Sequence, residues 1–187
     1  MAAGTREALL RIAAGLMRTK GYAAFSYADL VDDVGIKKAS IHHHFPTKED
    51  LGVAVVEEYI SNIRGELANI EAKTEVTIER LEAFFALFRA SAEVEMLPLC
   101  GALAAEMSAL PEGLRRLTHV FFDMQIDWLS SVLQRGIEQG EIPAGDGARK
   151  KAFAILSLLE GSCFINWATR EEDLLSGSVV RLIASQD

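Results

Sequence analysis

"FSYADLVDDVGIKKASIHHHFPTKEDL", Phe25 to Leu51, punctuates two short helices with two turns, and its reading decides the fold. Ser26 suits a helix amino-terminal cap, with Asp29 three residues on to return the hydrogen bond, and Leu30 and Val34 then face inward. Gly35 fits a tight turn where a side chain would be costly. A second short helix, about Lys38 to Phe45, gains an apolar face from Ile41 and Phe45 at i, i+4. Pro46 stops it, and Thr47 caps a longer helix with Asp50 in the third position.

Three consecutive histidines in such a stretch suggest a metal site, but the spacing argues otherwise. On a helix His42, His43 and His44 point about 100° apart in turn, so no two share a face as an i, i+4 pair would. No carboxylate or cysteine at ligand spacing joins them, and His119 is the one other histidine. Neither a metal nor another cofactor is expected. Two short helices crossing over a small core instead describe a helix-turn-helix, whose second helix enters the major groove. Lys37, Lys38 and Lys48 then reach phosphates, Ser40 and His42 donate to backbone or base edges, and His43 faces a base.

Charge supports this placement. The 187 residues carry a net −8, yet residues 1–48 hold seven Lys/Arg against four acids, while the rest holds twelve against twenty-three. A basic head on an acidic body permits local phosphate contact and discourages indiscriminate adhesion. Cys100 and Cys163 lie far apart without a Cys-x-x-Cys spacing, so neither a disulfide framework nor a zinc site is signalled. The amino terminus, "MAAGTREALLRIAAGLMRTKG", is broken by charges and has neither a signal-peptide core nor a membrane span. A cytoplasmic, membrane-free protein is expected.

Outward from the opening stretch, nearly everything reads as helix. Leu9, Ile12, Ala13 and Leu16 follow one helical face, and Gly21 supplies a stop. Val53, Val56, Ile60, Ile63, Leu67 and Ile70 continue a stripe beyond Thr47. Leu81, Phe84, Phe85 and Phe88 make another, and Leu114, Leu117, Phe121, Met124, Trp128 and Val132 a longer one after Pro111. "GEIPAGDG" breaks the chain. The following "KKAFAILSLLEGSCFINWA" is apolar nearly all round, so it must be buried on more than one side, one of them against a second copy of the chain. The expected architecture is all-α, about nine helices, with a three-helix helix-turn-helix head over residues 1–48 and a helical effector-binding and dimerisation body over residues 49–187.

The segment from Phe25 to Leu51 also resembles the DNA-binding segment of the tetracycline-repressor (TetR/AcrR) family: a hydroxyl cap, an Asp-Leu core, a Gly-Ile turn, a recognition helix ending in His-Phe, then Thr-Lys-Glu-Asp-Leu. The likeness spans about residues 5–60. It implies phosphate contacts from Ser26 or Tyr27, Lys37 and Lys38 opening the recognition helix, Ser40 and His43 facing the groove, and Lys48 clamping phosphate. His42 stands where the family usually has a tyrosine that touches the DNA backbone, which keeps a donor but shortens its reach. His44 stands at the family's common histidine, as a packing residue. The resemblance further implies a homodimer through the last two helices, binding a near-palindromic double-stranded operator with recognition helices about 34–36 Å apart, and a small-molecule effector held by the middle helices.

The residues best suited to an apolar or aromatic effector are Phe84, Phe88, Cys100, Leu103, Met107, Phe121, Met124, Trp128, Phe164 and Trp167, each with core packing as its alternative role. Cys100, beside "LCGALAAEMSALPEGLRR", has two readings, a buried small side chain or a sensor of electrophiles. No histidine or second carboxylate partners it for catalysis, so an enzyme is not expected. Two functions remain: a transcriptional repressor released from its operator by an effector, or a helical ligand carrier or interaction protein without operator binding.

Overall fold

The computed structural model describes residues 2–34, 38–93, 96–171 and 177–185. Among them are nine α-helices and no strand: α1 (Ala2–Thr19), α2 (Tyr27–Val34), α3 (Lys38–His44), α4 (Lys48–Lys73), α5 (Thr77–Glu93), α6 (Leu99–Ala105), α7 (Glu112–Glu138), α8 (Ala148–Thr169) and α9 (Gly177–Ala184). A single 3-10 turn, Met107–Ala109, follows α6. The all-helical expectation therefore holds. Gly35 and Lys37, between α2 and α3 in the sequence, lie outside the described residues.

The chain divides into two compact units, residues 1–62 with 99–121, and residues 63–98 with 122–187. In the first, α1 turns Leu9, Leu10, Ala13, Leu16 and Met17 inward, while Ile12 is only half-buried. Gly21 ends the helix at φ +87°, a left-handed conformation that glycine adopts without strain. Both expected capping boxes form. The Asp29 carboxylate accepts from the Ser26 N–H at 2.7 Å and the Ser26 hydroxyl at 2.9 Å, and Ser26 Oγ accepts from the Ala28 N–H at 3.3 Å. Thr47 and Asp50 exchange bonds in the same way, with Thr47 N–H to Asp50 at 3.0 Å and Asp50 N–H to Thr47 Oγ1 at 3.0 Å. Each box satisfies amide donors that a helix start would otherwise leave unpaired.

The second unit has one apolar core. Leu67 and Ile70 of α4, Leu81, Phe84, Phe85 and Phe88 of α5, Leu129, Val132 and Leu133 of α7, and Ile155, Leu156, Leu159 and Cys163 of α8 belong to it. Helix α5 packs on both α8 and α9. Buried cations finish two helix ends: Arg80 Nε donates to the Thr74 carbonyl at 2.7 Å, just past α4, and Lys151 Nζ donates to the Ala184 carbonyl at 2.9 Å, at the end of α9. Both place positive charge where helix carbonyls lack intrahelical donors.

Helix α8 is, by length and composition, apolar enough to cross a membrane. Its face from Ala148 through Lys151, Ala152, Ile155, Leu156 and Leu159 to Cys163 is buried in this unit, which accounts for the apolar residues of that face alone. The same helix exposes Phe153 (62 %) and Ile165 (63 %), and α9 exposes Leu182 (62 %).

Candidate nucleic-acid interface

The short helix α3 is built by what it buries. Ile41 is fully buried and Phe45, just beyond the helix end, is nearly so, which leaves Lys38, Ala39, His42 and His43 exposed and Ser40 and His44 half-buried. Helix α2 packs on α3, and α1 on α2. One hydrogen bond ties the arrangement: the Tyr27 hydroxyl, at the start of α2, donates to the Phe45 carbonyl at 2.9 Å. That bond is buried, and burial above all, then the charge of Asp50 and the neighbouring Tyr22, pushes the Tyr27 phenol up to about 12. Tyr27 therefore spends its hydroxyl inside the head. Of the pair expected at phosphate, Ser26 is the exposed one.

The histidines have separate surroundings. The His42 ring lies 4.9 Å from the Tyr27 ring, centroid to centroid, and its Nδ1 is 3.2 Å from the Pro46 carbonyl oxygen, so Nδ1 carries the proton in that bond. His43 and His44 meet edge to face at 5.5 Å. Among the described residues no three His, Cys, Asp or Glu side chains gather as a metal site would require.

Lys48 has more partners than its sequence position suggests. Its ammonium lies 4.6 Å from the Tyr22 ring centroid and 4.5 Å from that of Phe25, and it donates to the Ala23 carbonyl at 3.3 Å. Burial lowers its pKa, against the opposing pull of Glu106 and Asp29. Asp29, bound first by Lys20 at 2.7 Å and then by Ser26, is held well below the usual carboxylate range.

Glu106, which the sequence places only near Cys100, has a partner in this region that sequence reasoning missed. Its Oε2 accepts from the Ala23 N–H at 2.7 Å, 83 positions away along the chain, and so ties the end of α6 to the turn between α1 and α2. A Cβ on Gly21 would stand 1.8 Å from Glu106 Oε1. No local pattern signals so distant a partner.

The ten residues expected to suit an effector fall in both units. Cys100 and Leu103 are fully buried in the first, with Met107 half-buried and Phe121 buried 5.4 Å from the Tyr59 ring. Phe84, Phe88, Met124, Trp128, Phe164 and Trp167 belong to the second. There Phe84 meets Phe88 at 5.4 Å and stacks on Trp128 at 5.4 Å, while Trp167 carries Arg170 over its ring at 4.1 Å. Glu160, which the sequence reading passed over, is also in this unit: both carboxylate oxygens are buried without a hydrogen-bond partner. A lone acid within "AFAILSLLEGSCFINWA" was its available signal.

A helix-turn-helix with a polar, partly basic recognition helix, joined to a helical body, defines a DNA-binding regulator. Comparison with known proteins makes the class specific. The family model described as bacterial regulatory proteins, tetR family, matches residues 9–55. The HTH-type transcriptional regulator CymR of Pseudomonas putida is 30% identical over 146 residues, covering 73% of this chain and 70% of that protein. LmrA of Bacillus subtilis, another HTH-type transcriptional regulator, is 29% identical over 168 residues, covering 87% and 86%. The crystal structure of a TetR-family transcriptional regulator from Agrobacterium tumefaciens superposes with a TM-score of 0.88 at 30% identity, covering 98% of this chain and 95% of that one.

The chain belongs to the TetR family of DNA-binding transcriptional regulators. Members of that family bind DNA operators, are typically dimers and are generally cytoplasmic; these relatives are regulators and not enzymes.

Proposed function

We propose that the protein is a repressor that binds a near-palindromic operator as a homodimer and leaves it when a small effector occupies the body. The observation that carries the DNA contact is the division of α3, with Ile41 buried and Lys38, His42 and His43 exposed. In this reading Lys37 and Lys38 open the recognition helix, Ser40, His42 and His43 face the groove, and Ser26 meets phosphate. Lys48 reaches a phosphate by leaving the Tyr22 and Phe25 rings, at a cost of about 0.5–1 kcal/mol for each cation–π contact at an exposed site. Repression is supported by similar proteins, among them the transcriptional repressor KstR2 of Mycolicibacterium smegmatis, 31% identical over 83 residues.

Dimerisation is assigned to α8 and α9, because each exposes large apolar side chains, Phe153 and Ile165 on one and Leu182 on the other. Residues 1–48 then act as the DNA-binding segment and residues 49–187 as the effector-binding and dimerisation segment.

Fluorescence anisotropy on duplex DNA from the upstream region, against a scrambled duplex at several salt concentrations, tests this reading. The expected result is saturable preference for the native duplex, with a salt slope that falls by about one phosphate contact in each of Lys37→Ala, Lys38→Ala and Lys48→Ala. Weak, equal binding to every duplex across the surrounding DNA would favour a ligand carrier instead.

A further inference from the structure

Among the described residues, four side chains of the second unit leave a buried polar atom without a hydrogen-bond partner: Arg135, whose guanidinium is otherwise engaged by Glu71, and Gln125, Trp128 and Glu160, which complement one another in kind. Gln125, only 2 % exposed on the inward stripe of α7, leaves its Nε2 donor unpaired. Trp128, three residues on and therefore on the same side of α7, leaves its Nε1 donor unpaired while its ring stacks on Phe84. Glu160 of α8 leaves both carboxylate oxygens unpaired. Phe84 and the α8 residues Leu159 and Cys163 on either side of Glu160 belong to one apolar core, against which Trp128 packs. Phe164 and Trp167, at i+4 and i+7 from Glu160, continue its side of α8 with aromatic rings.

Leaving a polar group buried and unbonded is costly, and leaving a charge so costs more. A polar group that served only the core would ordinarily have a protein partner there. Instead each is left unbonded, as groups positioned for a guest molecule would be. A carboxylate among aromatic rings selects a cation, since it neutralises the charge while the ring faces attract it too. Two N–H donors select an acceptor atom on the same molecule.

We propose that the second unit binds a small aromatic cation bearing an acceptor oxygen, with Glu160 taking the charge and Gln125 and Trp128 donating to the oxygen. This deepens the reading of the body as the effector-binding half and rests on it for its regulatory meaning. It also replaces a purely apolar effector with a charged one. Burial pushes the Glu160 carboxyl up to about 7, so a bound cation displaces a proton from part of the population and binds more tightly as pH rises through neutrality.

The test uses a shape-matched pair, 6-methoxy-1-methylquinolinium and its neutral isostere 6-methoxy-1-methylnaphthalene, with the full-length protein in equilibrium dialysis at about pH 6, 7 and 8. Wild type should prefer the cation by roughly tenfold at pH 8, as a charge-assisted contact of about 1.4 kcal/mol predicts, and the preference should shrink at pH 6. Glu160→Gln, checked for a cooperative melt, should bring the two affinities within about twofold at every pH. Gln125→Leu should weaken both compounds and keep the preference. Equal affinity for the pair in wild type, no binding of either, or a preference that survives Glu160→Gln would overturn the proposal. Operator binding measured alongside keeps the two readings separate: loss of the operator result with an intact, Glu160-dependent preference removes the regulator assignment and leaves the cation site standing.

Discussion

At the scale of single residues, the head depends on side chains whose polar ends are already committed. The Tyr27 hydroxyl serves Phe45, so Tyr27→Phe leaves a buried carbonyl unbonded and should cost about 1–2 kcal/mol. A lower urea midpoint at unchanged slope would show it, and the salt slope of operator binding should stay as in wild type, because the hydroxyl reaches no phosphate. Glu160 gives a pH signature of its own. Burial pushes its folded carboxyl up to about 7 from the ordinary 4.5, so the folded state holds the proton over a window in which the unfolded state has released it. Stability from this group is complete below about pH 4.5, falls as pH rises through about 7, and amounts to roughly 3 kcal/mol across the window. Unfolding curves at successive pH values should carry this decline in wild type and lose it in Glu160→Gln; a decline of the same size in the variant would assign it elsewhere.

At the scale of elements, what was legible in the sequence was whatever local chemistry dictates. The capping pairs Ser26 with Asp29 and Thr47 with Asp50 formed as read, and Leu81, Phe84, Phe85 and Phe88 all face inward, because caps and stripes are properties of a few neighbouring residues. The stripes were less reliable at their edges: Val53 and Ile63 are half-buried where Leu51 and Val55 are buried, since the helices that cover α4 decide how far each stripe rotates. At the candidate site, the exposure of Lys38, His42 and His43 followed from the same periodicity. The internal bonding of Tyr27, the aromatic seat of Lys48 and the reach of Glu106 did not, because each depends on a partner brought near by folding. Close helix packing offers an element-scale test. A Cβ on Gly136 would stand 2.6 Å from Thr77 Oγ1 and 2.8 Å from its Cγ2, and Thr77 is a stiff, buried β-branched residue. Gly136→Ala should therefore destabilise by about 1–3 kcal/mol through overpacking, despite the better helix propensity of alanine. A melting temperature at or above wild type would show that α5 and α7 part without strain.

At the scale of the whole molecule, the proposed dimer is the link between recognition helix and operator, since a palindrome is read by two heads. Ile165→Glu sets a charge on the exposed apolar face of α8, where it is harmless in a lone chain and costly between two. Sedimentation should find the variant shifted to monomer with its melt largely intact, and the salt slope on the operator should fall by roughly half. A variant that remains dimeric would move the interface to another face. The crowding of Glu106 against Gly21 acts over a longer time than any of these measurements. Position 106 can shorten while position 21 stays glycine, at the loss of the bond to Ala23. A side chain at position 21 would have to turn that carboxylate aside and also hold a left-handed φ of +87°, which only glycine adopts without strain. Loss of the acid at 106 therefore does not free position 21, and descendants that have shortened residue 106 should still carry glycine at 21.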